Sequence, residues 1–550
     1  MSDTKTHSDT TSSGSSAMAP LLRPVFRSLW IAMTISALGT WMHEVGAGWL
    51  MTTLDPDPAM VALVPTASLL PMFLLALPAG ALADIVDRRR YLIVALSWLS
   101  VAAGTLAFFS MNALLNAWGL IGLTMCMGIG TAMMMPGFQS IIPDLVPRNE
   151  LVAAITLNGI AFNFTRTIGP ALAGLIIAAA GPAWVFAFNS VSYLAVLAVI
   201  LMWRNERTAS TLPSERFFAA IRGGVRFAGQ SRPLQIIILR GLPYFILVSA
   251  TFALLPLIVR NELGYGAEVF GNLMGCVGLG AVAVGLNLSR IRKYLSSDTL
   301  VVLGSSATVM STLALAYLRD IWVLGGFMVA FGAAWITVLS TLQVNAQLVL
   351  PGWVRARGLA IYLASFTGTV AIGAAIWGRV ASVTGIPLAL TIAAVVGAVG
   401  IVLGLSLTLG SNESLDHSPA LPVSDPNLSY AINEHDGPVM IEVRFRIDPS
   451  DVDEFLFFMR TEQRRMRRKY GAITWGLFQD TDDEQYFVEV FVDESWIQHL
   501  RSRSRLTKDD MDIINKARSF HRGSEPPQVT RKVSRRPSRE FFEMRASRKS

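Results

Sequence analysis

Four ionisable side chains, His43, Glu44, Arg166 and Arg379, stand inside long apolar stretches of this 550-residue chain. A charge in hydrocarbon is expensive and is kept where it pairs, meets water or acts on a substrate. Glu44 lies 17 residues past Arg27, about 25 Å along a helix, which sets it toward the outer side. A half-buried carboxylate there can load and release a proton; the competing reading has it hydrated in an external vestibule. His43 is its titratable neighbour. Arg166 sits deeper, with Asn158 and Asn163 on the same helix, where it suits an anionic substrate or an ion pair that locks helices together. Arg379, near an outer helix end, is expected to snorkel to the interface. Glu44, His43, Arg166 and Asn163 are therefore the candidates for transport and proton coupling.

A second group is Gly80-Ala-Leu-Ala-Asp84-Ile-Val-Asp87-Arg88-Arg89-Arg90. A carboxylate followed by clustered arginines can pair across helix ends in one conformation and release in another. Gly80, Asp84, Arg88, Arg89 and Arg90 are the candidate latch, with simple topogenic charge as the alternative. A third is Ile168-Gly169-Pro170, with Gly174 beyond it. Glycine permits close helix contact, and proline removes a helical donor and kinks the chain.

The elements that must position these groups are membrane helices. Apolar residues make up 52% of the chain and charged residues only 15%, against about 25% charged in soluble proteins; the mean hydropathy is +0.47. Apolar runs of about 20 residues, enough to cross a bilayer, recur at roughly 26–52, 59–83, 91–111, 116–138, 151–180, 183–203, 234–260, 268–290, 298–318, 321–345, 355–381 and 386–409. Taking the N-terminus as cytoplasmic, inner loops hold Arg88–Arg90, Arg148, Arg204, Arg207, Arg216, Arg222, Arg226, Arg232, Arg290, Arg292, Lys293, Arg355 and Arg357, and outer loops only Arg260 and Arg319. That asymmetry predicts cytoplasmic termini in an inner (plasma) membrane. It also accounts for the net charge of +7 without a nucleic-acid partner.

A weak repeat divides the helices. Gln139-Ser-Ile-Ile-Pro143 matches Gln347-Leu-Val-Leu-Pro351 at an offset of about 208 residues, and Gly169 and Gly174 recur as Gly373 and Gly378. The predicted fold is an all-α membrane protein of twelve helices in two six-helix halves, followed by a small α+β domain. Its divisions are a disordered tail 1–23, a first half 24–203, a cytoplasmic loop 204–232, a second half 233–410, a linker 411–437, a soluble module 438–522 and a basic disordered tail 523–550. Within the loop, Phe217, Phe218, Ile221, Val225 and Phe227 interleave with arginines, the pattern of an amphipathic segment on an anionic leaflet. The module reads β-α-β-β-α, a ferredoxin-like order, with Trp475, Trp496 and His499 prominent. Cys126 and Cys276 form no CxxC and stand near no histidine cluster, so neither a disulfide framework nor a metal site is expected. No Walker A sequence argues for ATP use, and no cofactor is expected.

The loop after the second run resembles the signature of the major facilitator superfamily, departing from it at Ile85 and Asp87. Ser36-Ala-Leu-Gly-Thr-Trp-Met, Pro143-Asp-Leu-Val-Pro-Arg-Asn-Glu-Leu, Arg166-Thr-Ile-Gly-Pro-Ala-Leu-Ala-Gly174 and Gln347-Leu-Val-Leu-Pro-Gly-Trp-Val-Arg-Ala-Arg resemble its enterobactin-exporter-like branch, the transmembrane secretion effectors. Gly169-Pro170 is similar to the antiporter motif of the superfamily. The resemblance covers roughly residues 24–410 and implies secondary active transport, by alternating access, of a small amphipathic molecule of siderophore or drug type, outward and coupled to protons. The module resembles antibiotic-biosynthesis-monooxygenase-like proteins, which implies homodimerisation or regulation more than catalysis. A membrane-anchored enzyme, or a ligand sensor acting through the module, is the competing function.

Overall fold

The structure is a computed structural model that describes residues 18–147, 149–203, 217–351, 354–409, 432–433 and 436–534. Outside them lie most of the expected N-terminal tail, Arg148, Arg204, Arg207, Arg216, most of the linker and the last sixteen residues. The side chain of Asp84 is likewise outside the described set. The chain divides into two compact units.

The first unit is helical. Its first six long helices are α1 (Pro24–Leu54), α2 (Pro58–Ile85), α3 (Arg88–Met111), α4 (Ala117–Leu145), α5 (Leu151–Ala180) and α6 (Pro182–Met202). The remaining elements, after α7 (Phe217–Gln230) of the second unit, are α8 (Arg232–Leu257), α9 (Ala267–Gly285), the short α10 (Leu288–Ile291), α11 (Ser297–Tyr317), α12 (Ile321–Leu348), α13 (Arg355–Thr384) and α14 (Ile386–Gly404). The ends of α8, α12 and α13 nearest the loops at 231 and 351–354 belong to the second unit. Among the described residues, eleven helices are long and apolar enough to cross a membrane. The twelfth, α1, spans 31 residues, but Arg27, His43 and Glu44 dilute its apolar character.

Local chemistry sets the ends of these helices. Proline opens α1, α2, α6 and α14, where its missing N–H costs nothing. The Asp57 carboxylate caps α2 by accepting from the Ala59 N–H at 3.1 Å. The turns into α6 and α14 use Gly181 at φ +88° and Gly385 at φ +85°, a left-handed geometry that suits glycine. These two turns hold equivalent places in the two halves.

The repeat is visible in packing. A Cβ on Gly169 of α5 would lie 2.8 Å from Trp41 Cβ on α1, and one on Gly373 of α13 would collide with Ser249 on α8. Each helix therefore leans on the opening helix of its own half. A Cβ on Gly174 would lie 2.8 Å from the Ala267 carbonyl on α9, and one on Gly378 would lie 2.8 Å from the Pro58 carbonyl on α2. Here each helix meets the second helix of the opposite half. The two glycines of each motif thus hold one seam within a half and one between halves. Buried Ala62, Ala253 and Ala374 join α2, α8 and α13, small side chains of the kind that let membrane helices approach.

The second unit carries a four-stranded antiparallel sheet of β1 (Val439–Arg446), β2 (Thr474–Gln479), β3 (Tyr486–Asp493) and β4 (Gln528–Val533), in the order β2-β3-β1-β4. Helices α15 (Val452–Phe458) and α16 (Arg464–Lys469), joined by one π turn, follow β1; α17 (Trp496–Ser504) and α18 (Lys508–Ser519) follow β3. This is the full β-α-β-β-α-β ferredoxin-like arrangement. Strand β4 corrects the expectation of disorder from 523 onward: residues 528–533 pair with β1 from Val439↔Val533 to Arg444↔Gln528. Its basic residues hid a strand whose partner lies some ninety residues away. Phe445, Phe455, Phe487, Phe491, Trp496 and Phe520 centre the core, so Trp496 is a packing residue.

Helix α7 belongs to this unit and is held by the module. Arg226 donates to the Gly471 carbonyl at 2.8 Å, and Arg465 of α16 donates to the Gln230 carbonyl at 2.7 Å. Phe227 is buried, with the Lys469 ammonium 5.4 Å from its ring centre.

Candidate functional site

Arg166 is buried, 8% exposed, in the middle of α5. Its guanidinium lies 5.7 Å from the ring centre of Trp41 on α1 and 5.6 Å from that of Trp335 on α12. A desolvated cation over a tryptophan face gains about 2 kcal/mol or more per contact, well short of replacing its lost hydration. No hydrogen bond or carboxylate partner meets Arg166 among the described residues. Position 170 is proline, so the helical N–H that would normally bond the Arg166 carbonyl is missing.

Trp335 anchors an aromatic wall. It stacks on Tyr244 at 6.3 Å and 22°, and meets Phe252 edge-on at 5.7 Å and Phe366 at 5.8 Å. Phe245 packs on Phe366 at 4.7 Å. The Trp335 indole N–H is buried without a partner among the described residues. The site thus joins a cation, an orphan N–H donor and a broad aromatic surface, with α1 and α5 of the first half facing α8, α12 and α13 of the second. Sequence reasoning found Arg166 and passed over Trp335, Tyr244, Phe245 and Phe366, which are scattered along the second half. Trp41 stood in a motif without an assigned role.

Glu44 accepts a 2.6 Å hydrogen bond from Ser68 of α2. Ser68 carried no sequence signal. His43, the next residue, turns elsewhere: it is buried 5.2 Å from the ring of Phe186 on α6, and neither ring nitrogen has a partner among the described residues. Consecutive helical residues point about 100° apart, so adjacency in sequence did not make a pair. Asn163 donates to the Gly159 carbonyl of its own helix at 2.8 Å. Arg379 is exposed on α13.

The latch residues divide. Arg89 donates to the carbonyls of Ile200 and Leu201 at the end of α6, satisfying helix-terminal acceptors within the first half. Asp87 caps α3 by accepting from the Arg90 N–H at 3.0 Å. A Cβ on Gly80 would meet nothing within 4 Å among the described residues. Pro170 and Gly174 lie at the seam with α9, where a Cβ on Gly271 would stand 2.7 Å from the Pro170 carbonyl.

Contacts between the halves run from mid-bundle toward the end that carries the α1–α2 turn. They include Gly278 on Thr167, Gly275 on Ala171, Gly368 on Phe73 and Gly48 on Pro256. Thr66 donates to the Ala371 carbonyl at 2.9 Å, and Arg260 donates to Thr52 and Thr53 at 3.0 and 2.7 Å.

A twelve-helix bundle with this pseudo-symmetry and a polar, aromatic-walled centre is a membrane transporter of the major facilitator fold. The chain belongs to the transmembrane secretion effector family, whose model matches residues 15–539. It is 27% identical to the staphyloferrin A transporter of Staphylococcus aureus over 49% of this chain and 68% of that one. It is 26% identical to the enterobactin exporter EntS of Salmonella typhi over 73% of this chain and 96% of the exporter. Among solved structures, a point mutant of the nucleoside transporter NupG superposes with a TM-score of 0.60 at 11% identity, covering 70% of this chain and 99% of its own. A bacterial homologue of the iron transporter ferroportin in an inward-facing state gives 0.55 at 16% identity, over 70% and 99%.

Proposed function

We propose that this protein is a proton-coupled exporter of small amphipathic anions, siderophore-like or drug-like, working by alternating access across an inner membrane with both termini cytoplasmic. The observation that carries the reading is Arg166, a buried cation between Trp41 and Trp335 with no carboxylate partner among the described residues. A buried charge without a counter-ion is tolerated where a ligand supplies one. The orphan Trp335 N–H adds a second donor, and the surrounding rings match the apolar body of the cargo.

The names of the exporter and siderophore-transporter relatives favour export and that cargo class. The loop-charge asymmetry favours the orientation. With that orientation these half-to-half contacts lie on the outer side of the bundle. Glu44, hydrogen-bonded to Ser68, is the proton-carrying group of this scheme.

The test is transport in inside-out proteoliposomes carrying a pH gradient, with enterobactin and staphyloferrin A as candidate cargoes. Arg166→Gln is expected to weaken cargo binding by roughly tenfold or more, the worth of a charge-assisted hydrogen bond. Unchanged affinity in a correctly inserted variant would remove Arg166 from the binding site.

A further inference from the structure

Helix α16 reads Arg464-Arg465-Met466-Arg467-Arg468-Lys469, so five of its six residues are basic. Two of the five are committed inside the module. Arg467 holds the fully buried Glu489 carboxylate through two 3.0 Å bonds, and Lys469 donates to Asp510 at 3.1 Å. Met466 packs inward with Tyr470 and Leu506. The remaining arginines face outward, with Arg460 one turn earlier in the π segment. Arg460 and Arg464 are exposed, and Arg465 and Arg468 are half-buried. No carboxylate bonds any of these four among the described residues. The Arg464 guanidinium lies 6.0 Å from the ring centre of Trp475, a contact with the ring face that leaves its N–H donors free.

These charges stand where the chain enters the membrane. Arg465 donates from Nε to the Gln230 carbonyl at 2.7 Å, and the spanning stretch of α8 begins just beyond, at the exposed Arg232. Burial is the main influence on the Arg465 guanidinium and lowers its pKa; Glu462 raises it, and the neighbouring charge of Arg232 lowers it again. A like charge is thus held beside Arg465 at the head of a membrane helix. The sequence pattern points to α7 as the segment that meets the leaflet. In the structure Phe227 of α7 is instead buried beside Lys469, and Arg226 donates to the Gly471 carbonyl. The outward charge at this place is carried by the module's own helix.

We propose that Arg464, Arg465 and Arg468 of the module, with Arg232 at the head of α8, form a seat for the phosphate headgroup of an anionic lipid. Guanidinium forks match phosphate oxygens, and each basic residue near an anionic leaflet strengthens attachment by roughly fivefold. The headgroup offsets the like charges of Arg232 and Arg465 and pins the module to the bilayer beside α8. The seat is separate from the transport centre at Arg166 and requires nothing of the cargo or of proton coupling.

Hydrogen exchange of the full chain in nanodiscs tests this, comparing discs of phosphatidylcholine alone with discs that also contain phosphatidylglycerol. Phosphatidylglycerol is expected to slow exchange across residues 460–469 by roughly fivefold or more, and salt at about 1 M should remove most of the difference. Inorganic phosphate added to the neutral discs should not reproduce it, which separates a lipid seat from a site for free phosphate. The double variant Arg464→Gln, Arg468→Gln should lose the slowing while strand β3 keeps its native protection. Arg232→Gln, on a different helix, should weaken it independently. Equal exchange in the two kinds of disc, equal slowing by inorganic phosphate, or slowing that persists in both variants would overturn the proposal.

Discussion

Replacing Gly174 by valine should pry open the seam between the two halves. A Cβ at this position stands 2.8 Å from the Ala267 carbonyl oxygen, 3.0 Å from Gly271 Cα and 3.3 Å from Glu268 Cα. Comfortable separations are about 3.5–4.0 Å, so α5 and α9 would have to part by roughly 1 Å, with two further methyls to place. All three obstacles are backbone atoms of the opposite half, which no rotamer change can move. Overpacking of this kind costs about 1–3 kcal/mol, and at about 1.4 kcal/mol per factor of ten that is roughly a five- to 150-fold shift away from the closed seam. The cost falls only on the state in which α5 and α9 touch. Spin labels at Leu114 and Trp322, exposed near the same end of opposite halves, in a chain with Cys126 and Cys276 changed to serine, would report the distance by double electron–electron resonance. Gly174→Val should enrich the longer distance. Gly122→Val, where a Cβ meets nothing within 4 Å among the described residues, should not. A correctly inserted Gly174→Val protein whose distances match the native ones would refute the reasoning.

Two further outcomes are expected. Glu44→Gln should retain cargo exchange but lose accumulation driven by a pH gradient, since the amide still bonds Ser68 and carries no titrating proton; persistent gradient-driven accumulation in proteoliposomes would exclude Glu44 as the coupling group. Arg467→Met should destabilise the module by about 3–5 kcal/mol, the cost of stranding a buried charge, read as faster hydrogen exchange across β3, and adding Glu489→Gln should restore much of the protection; a change under about 1 kcal/mol would mean the pair contributes little.

Much of the architecture was legible because the bilayer constrains sequence so strongly. Twelve runs of spanning length follow from the need to satisfy every backbone group within a helix. The half-repeat appeared as Gly169 and Gly174 against Gly373 and Gly378 because close approach admits only the smallest side chain, and those positions serve the same seams in both halves. Arg166 and Glu44 stood out because charge in hydrocarbon is costly enough to be noticed. The module announced itself by period-two alternation in 439–446 and by its helix caps.

What surrounds those charges was decided by tertiary structure alone. Tryptophan and phenylalanine are ordinary in membrane helices, so nothing in the chain marked Trp335, Tyr244 and Phe366 as the wall facing Arg166; only the docking of α5 against α12 does so. His43 and Glu44 are neighbours in sequence, yet the helical turn sends one to Phe186 and the other to Ser68. Arg89, one of the latch candidates, donates to the carbonyls that end α6 because the end of that helix lies beside α3. Strand β4 was hidden by its basic composition, and pairing with β1 supplies the order that local propensity did not. The sequence determined which groups are too costly to be idle, since burial of charge is a property of composition and hydropathy. Which side chains share a site is a matter of long-range contact, and that is encoded only in how the helices and strands pack.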